Sequence, residues 1–210
     1  MRGLPSELFD EEILYTRVEA FAGEHGLKDT LSALAFAQKA HEGQRRDSSE
    51  NIPYIVHPLQ ITLHAIALGM IEDELLATAL LHDVCEDCGV AWDRLPVSES
   101  IQNSVRLLTK TWAAGEGSKE LEQAYYDALS EDRIALMVKL LDRCNNISSM
   151  AGGFSGKRII RYMEETQTYY GPLFEKAAQK YPDYRDSLFA IRYQMYSVME
   201  AVQRKLLDSH

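Results

Sequence analysis

Residues 80–89 read LLHDVCEDCG. Four ionisable side chains, His82, Asp83, Glu86 and Asp87, fall within six positions, with Cys85 and Cys88 among them. Two chemistries fit such a cluster. A His-Asp pair offers nitrogen and oxygen ligands to a divalent cation, whereas CxxC is the spacing of redox and zinc motifs. The preceding ELLATAL is strong helix-forming sequence. If the helix runs on, a turn of about 100° per residue sets Glu86 at about 40°, Asp83 at about 100° and Asp87 at about 140° from His82. These four then share one face. Cys85 and Cys88, at about 300° and about 240°, look sideways or away, where cysteine packs as a small hydrophobe. A redox CxxC also belongs at the start of a helix after a strand, and no strand precedes this one.

A hydrolytic cation needs several ligands and open positions. Two further polar residues stand out against apolar surroundings. His57, in PYIVHPLQI, starts an otherwise apolar helix, and Asp142, in IALMVKLLDRCNN, ends an apolar run. A carboxylate left unpaired there is costly unless a cation compensates it. Asn146, four residues on, shares its helical face.

The elements that must position these residues are helices. Period-3.6 patterning runs nearly throughout and strand alternation is almost absent. Helices are expected over EEILYTRVEAFAGEHG, over TLSALAFAQKAHEG with Asp29 or Thr30 as cap, from Pro58 through ITLHAIALGM, and over EDELLATALLHDVCED up to Gly89. SESIQNSVRLLTK, LEQAYYDALS, DRIALMVKLLDRCNNISSM, RIIRYMEETQTYYGPLFEKAAQKY and YRDSLFAIRYQMYSVMEAVQRKLL follow. AAGEGSK and AGGFSGK read as connections, and the acidic runs at 10–12 and 72–74 as solvated helix ends. The expectation is an all-α bundle of about eight to ten helices in a single domain over 1–210, with residues 165–210 as a C-terminal helical extension.

The chain of 210 residues can bury a core without staples. Three cysteines, with no apolar N-terminal segment in MRGLPSELFDEE, imply reduced thiols and a cytoplasmic setting. No apolar run approaches a membrane span, which takes about 18 residues. The net charge of −10 argues against a nucleic-acid polymer as partner. An anionic small molecule would need local cations or a metal to offset that field.

The segments HEGQRR…PYIVHPLQIT, ALLHDVCED and VKLLDRCNNI together resemble the three signatures of the HD superfamily in its RelA/SpoT hydrolase branch, most closely the stand-alone small alarmone hydrolases. The likeness covers roughly residues 30–165, and its specificity lies in the three signatures in order. It implies an all-helical HD-domain fold, a manganese ion, and removal of the 3′-pyrophosphate from guanosine tetra- and pentaphosphate. It implies His57, His82, Asp83 and Asp142 as metal ligands and Glu86 and Asp87 as the pair that activates water. By the same likeness Arg46, Asn146, Arg158 and Tyr162 contact the nucleotide, with Lys110 as a further phosphate contact.

The chain departs from that pattern at Asp47, where a cation is usual, at Cys88, usually Thr, and at Asn145, usually an aromatic His. None removes a ligand. Two alternatives stand beside the guanosine reading: an HD phosphohydrolase acting on adenosine alarmones or NADPH, and a catalytically silent nucleotide-binding module. His41 reads as a residue that orders the loop after it, and oligomeric state is not legible.

Overall fold

The structure, a computed structural model, describes residues 6–46, 51–112 and 117–207. Eleven α-helical stretches occur among them. They are α1 (Glu11–His25), α2 (Lys28–Ala40), α3 (Val56–Ala67), α4 (Asp73–Leu81), α5 (Val84–Cys88), α6 (Glu99–Leu108), α7 (Lys119–Glu131), α8 (Arg133–Gly153), α9 (Gly156–Glu165), α10 (Gly171–Lys180) and α11 (Arg185–Leu207). No strand is present among the described residues; one antiparallel bridge joins Arg45 to Pro53. The fold is all-α, as the periodicity predicts. Because α5 follows α4 after two residues and a π-turn links α9 to α10, the number of rods stays within the expected range.

Helix ends follow local chemistry. Asp10 caps α1 by accepting from Ile13 N, and Gly26 ends it with φ of 68°, a conformation that suits glycine. Ser118, Asp132 and Ser155 cap α7, α8 and α9 in the same way. The start of α2 differs from expectation. Neither Asp29 nor Thr30 is the cap; instead the Asp73 carboxylate, from α4, accepts from Asp29 N at 3.1 Å and Thr30 N at 2.7 Å. Glu72 pairs with Arg133 and with the Tyr184 hydroxyl. The acidic run 72–74 is therefore joined to other elements rather than only solvated.

The helix expected to run unbroken from 72 to 87 is split at His82–Asp83. The His82 ring supplies the reason. Its Nδ1 bonds the Ala79 carbonyl at 2.8 Å, the acceptor that a continuous helix would offer to Asp83 N–H. Asp83 turns to φ −101°, ψ −9°. The helix expected over 158–181 likewise carries a π-turn at Thr166–Tyr170. Pro172 follows it and has no N–H to give to a carbonyl one turn back. AGGFSGK is shorter as a connection than expected, because α8 runs to Gly153.

Two buried clusters make the core. One gathers around α8, with Leu136, Leu140 and Leu141 fully buried, and α11 packs along α8. The other joins α1, α2, α3 and α4. Every residue of α4 from Leu75 to Leu81 is buried, and the helix packs against α2, α3, α6 and α8. A helix apolar on all sides has to sit inside, and this one delivers His82 and Asp83 to the middle of the molecule. No helix among the described residues is long and apolar enough to cross a membrane.

Candidate metal centre

Three elements converge at one point. His57 comes from the first turn of α3, His82 and Asp83 from the α4–α5 break, and Asp142 from the middle of α8. His57 and His82 are 2% and 3% exposed and Asp142 7%, so water cannot satisfy them freely. One ligand atom each from His57, His82 and Asp83 lies within 4.8 Å of the others. Asp83 Oδ2 is 3.0 Å from His82 Nε2 and 3.6 Å from His57 Nε2; Asp142 Oδ1 is 3.2 Å from His57 Nε2 and 3.8 Å from His82 Nε2.

These atoms face one another without pairing cleanly. His82 Nε2 is buried and has no hydrogen-bond partner, although Asp83 Oδ2 lies nearby off the ring's hydrogen-bonding direction. An orphaned buried nitrogen is costly. Two imidazole nitrogens and an Asp83 oxygen gathered within 4.8 Å, with Asp142 Oδ1 beside both imidazoles, make a nitrogen and oxygen donor set that suits a divalent cation. The residues present therefore fit a metal ion.

The ligand atoms are held from behind. His82 Nδ1 donates to the Ala79 carbonyl, and His57 Nδ1 lies 2.8 Å from Asn145 Oδ1. The Tyr54 hydroxyl donates to Asp83 Oδ2 at 2.7 Å. Lys139 Nζ lies 3.3 Å from Asp142 Oδ2, and Asn146 Nδ2 donates to Asp142 Oδ1. Arg46 donates to Asn146 Oδ1 at 2.8 Å and to Asn145 Oδ1 at 3.4 Å. It reaches them because its segment is clamped by Arg46 N to Ile52 O and Tyr54 N to Gln44 O.

The charges respond to this cage. Burial opposes ionisation of Asp142, but Lys139 and the two imidazoles outweigh it and hold the carboxyl well below the usual range. Asp83 is likewise held low against burial, chiefly by His82. Burial works against a charged His82, yet Asp83 and Asp142 raise its pKa to about 9. Burial keeps His57 below the ordinary imidazole value.

The structure brings Asn146 against Asp142 and Arg46 against Asn146 and Asn145. Glu86 and Asp87 sit at the exposed end of α5. Glu86 Oε2 accepts from Lys110 N at 3.2 Å, and burial of its carboxyl raises its pKa. The Lys110 ammonium pairs with Glu122 at 2.9 Å beside the rings of Trp112, Tyr125 and Tyr126. Arg158 lies over Phe154 at 3.8 Å at the start of α9, and Tyr162 lies under the Arg143 guanidinium, also at 3.8 Å. Asp47 falls outside the described residues. His41 Nδ1 donates to Gln44 Oε1 at 2.8 Å and the ring stacks on Tyr54, ordering the following loop. Cys85, Cys88 and Cys144 are free thiols, with Cys85 and Cys88 packed against the second core cluster.

Tyr54, Lys139 and Asn145 escape the sequence reading as parts of this site. Tyr54 and Lys139 each lie three residues before a candidate ligand, inside the same signatures. Asn145 registers in the sequence only as a departure from a pattern.

An all-helical bundle with His, His-Asp and Asp meeting at its centre defines an HD-type domain. The HD domain family model matches residues 33–178, and the chain belongs to that family. Among curated relatives, a guanosine-3′,5′-bis(diphosphate) 3′-pyrophosphohydrolase of Aquifex aeolicus is 31% identical over 145 residues, 67% of this chain and 20% of the relative. The bifunctional (p)ppGpp synthase/hydrolase SpoT of Escherichia coli is 30% identical over 169 residues, 77% of this chain and 24% of the relative. A GTP pyrophosphokinase rsh of Brucella melitensis is 33% identical over 186 residues, 84% and 24%. The chain thus spans about a quarter or less of the length of these relatives. A solved structure of a metazoan orthologue of SpoT, described as hydrolysing ppGpp and acting in starvation responses, shares the fold. It matches with a TM-score of 0.58 at 19% identity over 82% of this chain and 94% of that one.

Proposed function

We propose that this chain is a metal-dependent phosphohydrolase that removes the 3′-pyrophosphate of guanosine alarmones. The observation that carries the proposal is the buried, unpartnered His82 Nε2, facing two carboxylates and a second imidazole. The names of the Aquifex and Escherichia relatives, one a 3′-pyrophosphohydrolase and the other a (p)ppGpp synthase/hydrolase, supply the substrate class.

On this reading His57, His82, Asp83 and Asp142 hold one divalent ion, with manganese the identity that the family resemblance favours. Bound there, the ion supplies a Lewis acid that takes up phosphoryl charge and lowers the pKa of water. It also offsets the net charge of −10 that an anionic nucleotide would otherwise meet.

The protein's own groups do the rest. Water adds to the phosphorus bonded to the 3′ oxygen, the 3′ O–P bond breaks, and the departing 3′ oxygen takes a proton from solvent to become a hydroxyl as pyrophosphate is released. Glu86, at the solvent edge of the centre, accepts the proton that water loses, and Asp87 aligns the nucleophile. The raised Glu86 pKa makes it a better base than an ordinary carboxylate. Arg46, with Asn146, presents a fixed guanidinium to phosphate. Arg158, Tyr162 and Lys110 form the outer part of the nucleotide site. Residues 165–210 act as an extension of a single unit, which the packing of α11 on α8 supports. The free thiols suit a cytoplasmic setting.

The test is metal analysis of the purified protein, then a nucleotide panel. Pyrophosphate released from ppGpp supports the proposal. Orthophosphate from NADPH alone, or binding of nucleotide without turnover, overturns it.

A further inference from the structure

Four polar groups from three separated segments form a hydrogen-bond line that ends on His57. Gln60 Nε2 lies 2.6 Å from the Leu8 carbonyl; Asn145 Nδ2 lies 3.1 Å from Gln60 Oε1; His57 Nδ1 lies 2.8 Å from Asn145 Oδ1. The direction of this line is dictated from its far end. A backbone carbonyl can only accept, so Gln60 must turn its NH₂ group toward Leu8. Its carbonyl oxygen then faces Asn145 and must receive an N–H. That turns the Asn145 NH₂ outward and leaves Oδ1 facing His57. Arg46 Nη1, also a donor, meets the same Oδ1 at 3.4 Å and enforces the same orientation.

We infer that Asn145, anchored by Gln60 and the Leu8 carbonyl, is a positioning residue that holds the proton of His57 on Nδ1 and so keeps its Nε2 lone pair free for the metal. The competition is visible in the site. Asp142 Oδ1, 3.2 Å from His57 Nε2, would otherwise attract the proton to Nε2 and close that nitrogen to a cation. The Nδ1 proton of His82 is fixed locally by the Ala79 carbonyl. His57 has no such carbonyl partner and depends on an amide whose two ends are chemically opposite. The partner of a ligating imidazole fixes both its tautomer and its orientation. The consequence for metal binding rests on the metal reading above; the tautomer does not.

The experiment uses the full chain. In the metal-free protein, long-range ¹H–¹⁵N correlation reads the His57 tautomer, and calorimetric titration with Mn²⁺ reads affinity. The parent and Asn145→Asp, which keeps an acceptor, are expected to show Nδ1–H. Asn145→Leu is expected to move the proton to Nε2 and weaken Mn²⁺ binding by about 10–100-fold, the range for lost outer partners of metal ligands. Gln60→Leu, whose side chain bonds Asn145 and the Leu8 carbonyl, is expected to shift both readouts in the same direction by less, and tests the relay should Asn145→Leu fail to fold. An Nε2–H tautomer in the parent, or Nδ1–H and parental affinity in both leucine variants, overturns the inference. A parent that shows Nδ1–H but binds no Mn²⁺ sinks the metal reading and leaves the relay standing.

Discussion

Tyr54 donates its hydroxyl to Asp83 Oδ2 at 2.7 Å, the same oxygen that lies nearest the two imidazoles. A carboxylate at the break between two helices has freedom to rotate. Tyr54 removes it, and does so with a phenol whose own ionisation is suppressed by burial and by Asp83. The hydroxyl therefore stays a donor across the working pH range.

Replacing Tyr54 with Phe keeps the ring, its edge contact with His57 and its stack on His41, and removes only the hydroxyl. Metal affinity is expected to fall by about 10–100-fold, while stability changes by about 1 kcal/mol. Mn²⁺ titration beside urea unfolding checks both. Parental affinity would show that Asp83 needs no such restraint.

Asp142 and Lys139 are a buried pair on one face of α8, with side chains 9% and 16% exposed. Removing one partner strands the other's charge. Asp142→Ala is expected to abolish metal binding and to cost about 3–5 kcal/mol in the metal-free protein. Adding Lys139→Met should recover much of the stability but none of the metal binding. Chemical denaturation of the two single variants and the double variant measures the coupling. Additive losses would place Lys139 outside the site's energetics.

The all-helical architecture was legible because each helix carries a 3.6-residue apolar period, and α8 and α4 carry little else. The breaks were not. The α4–α5 interruption comes from a side chain competing for Ala79's carbonyl, and the π-turn from Pro172; neither alters the apolar pattern that announces a helix. The same contrast holds within the site. His57, His82, Asp83 and Asp142 stood out because charge in an apolar helix demands compensation, and their side chains do meet. Tyr54, Lys139 and Asn145 did not stand out. A tyrosine, a lysine and an asparagine are ordinary at helix ends and surfaces, and their roles exist only once distant segments are brought together. The acidic run at 72–74 misled for a related reason: a first-turn carboxylate looks solvated until another helix places its N–H groups or an arginine beside it.

Glu86 lies at the exposed end of α5, where its carboxylate accepts from the Lys110 backbone N–H. Glu86→Ala is therefore expected to retain the metal and the fold. Turnover of ppGpp should drop by about 10²–10⁴-fold, the range for a lost general base. Single-turnover kinetics with metal content measured on the same sample decide the point. An unchanged rate would remove Glu86 from the chemistry.

Metal binding should also move protons in a predictable sense. In the metal-free protein, burial opposes a charge on His82 but Asp83 and Asp142 raise its pKa to about 9, above the 6.5 of an ordinary imidazole. The stabilisation from this charge is thus complete below about pH 6.5 and is lost as pH rises through about 9. A cation requires the neutral ring. At pH 7 it must expel the His82 proton, whereas Asp83, held ionised well below the usual carboxylate range, has none to give. About one proton per ion is expected at pH 7, declining toward zero above pH 9, with apparent affinity tightening across that interval. Calorimetry in buffers of different ionisation enthalpy counts those protons. A heat independent of buffer at pH 7 would mean that His82 is already neutral, and that the two carboxylates do not govern its charge.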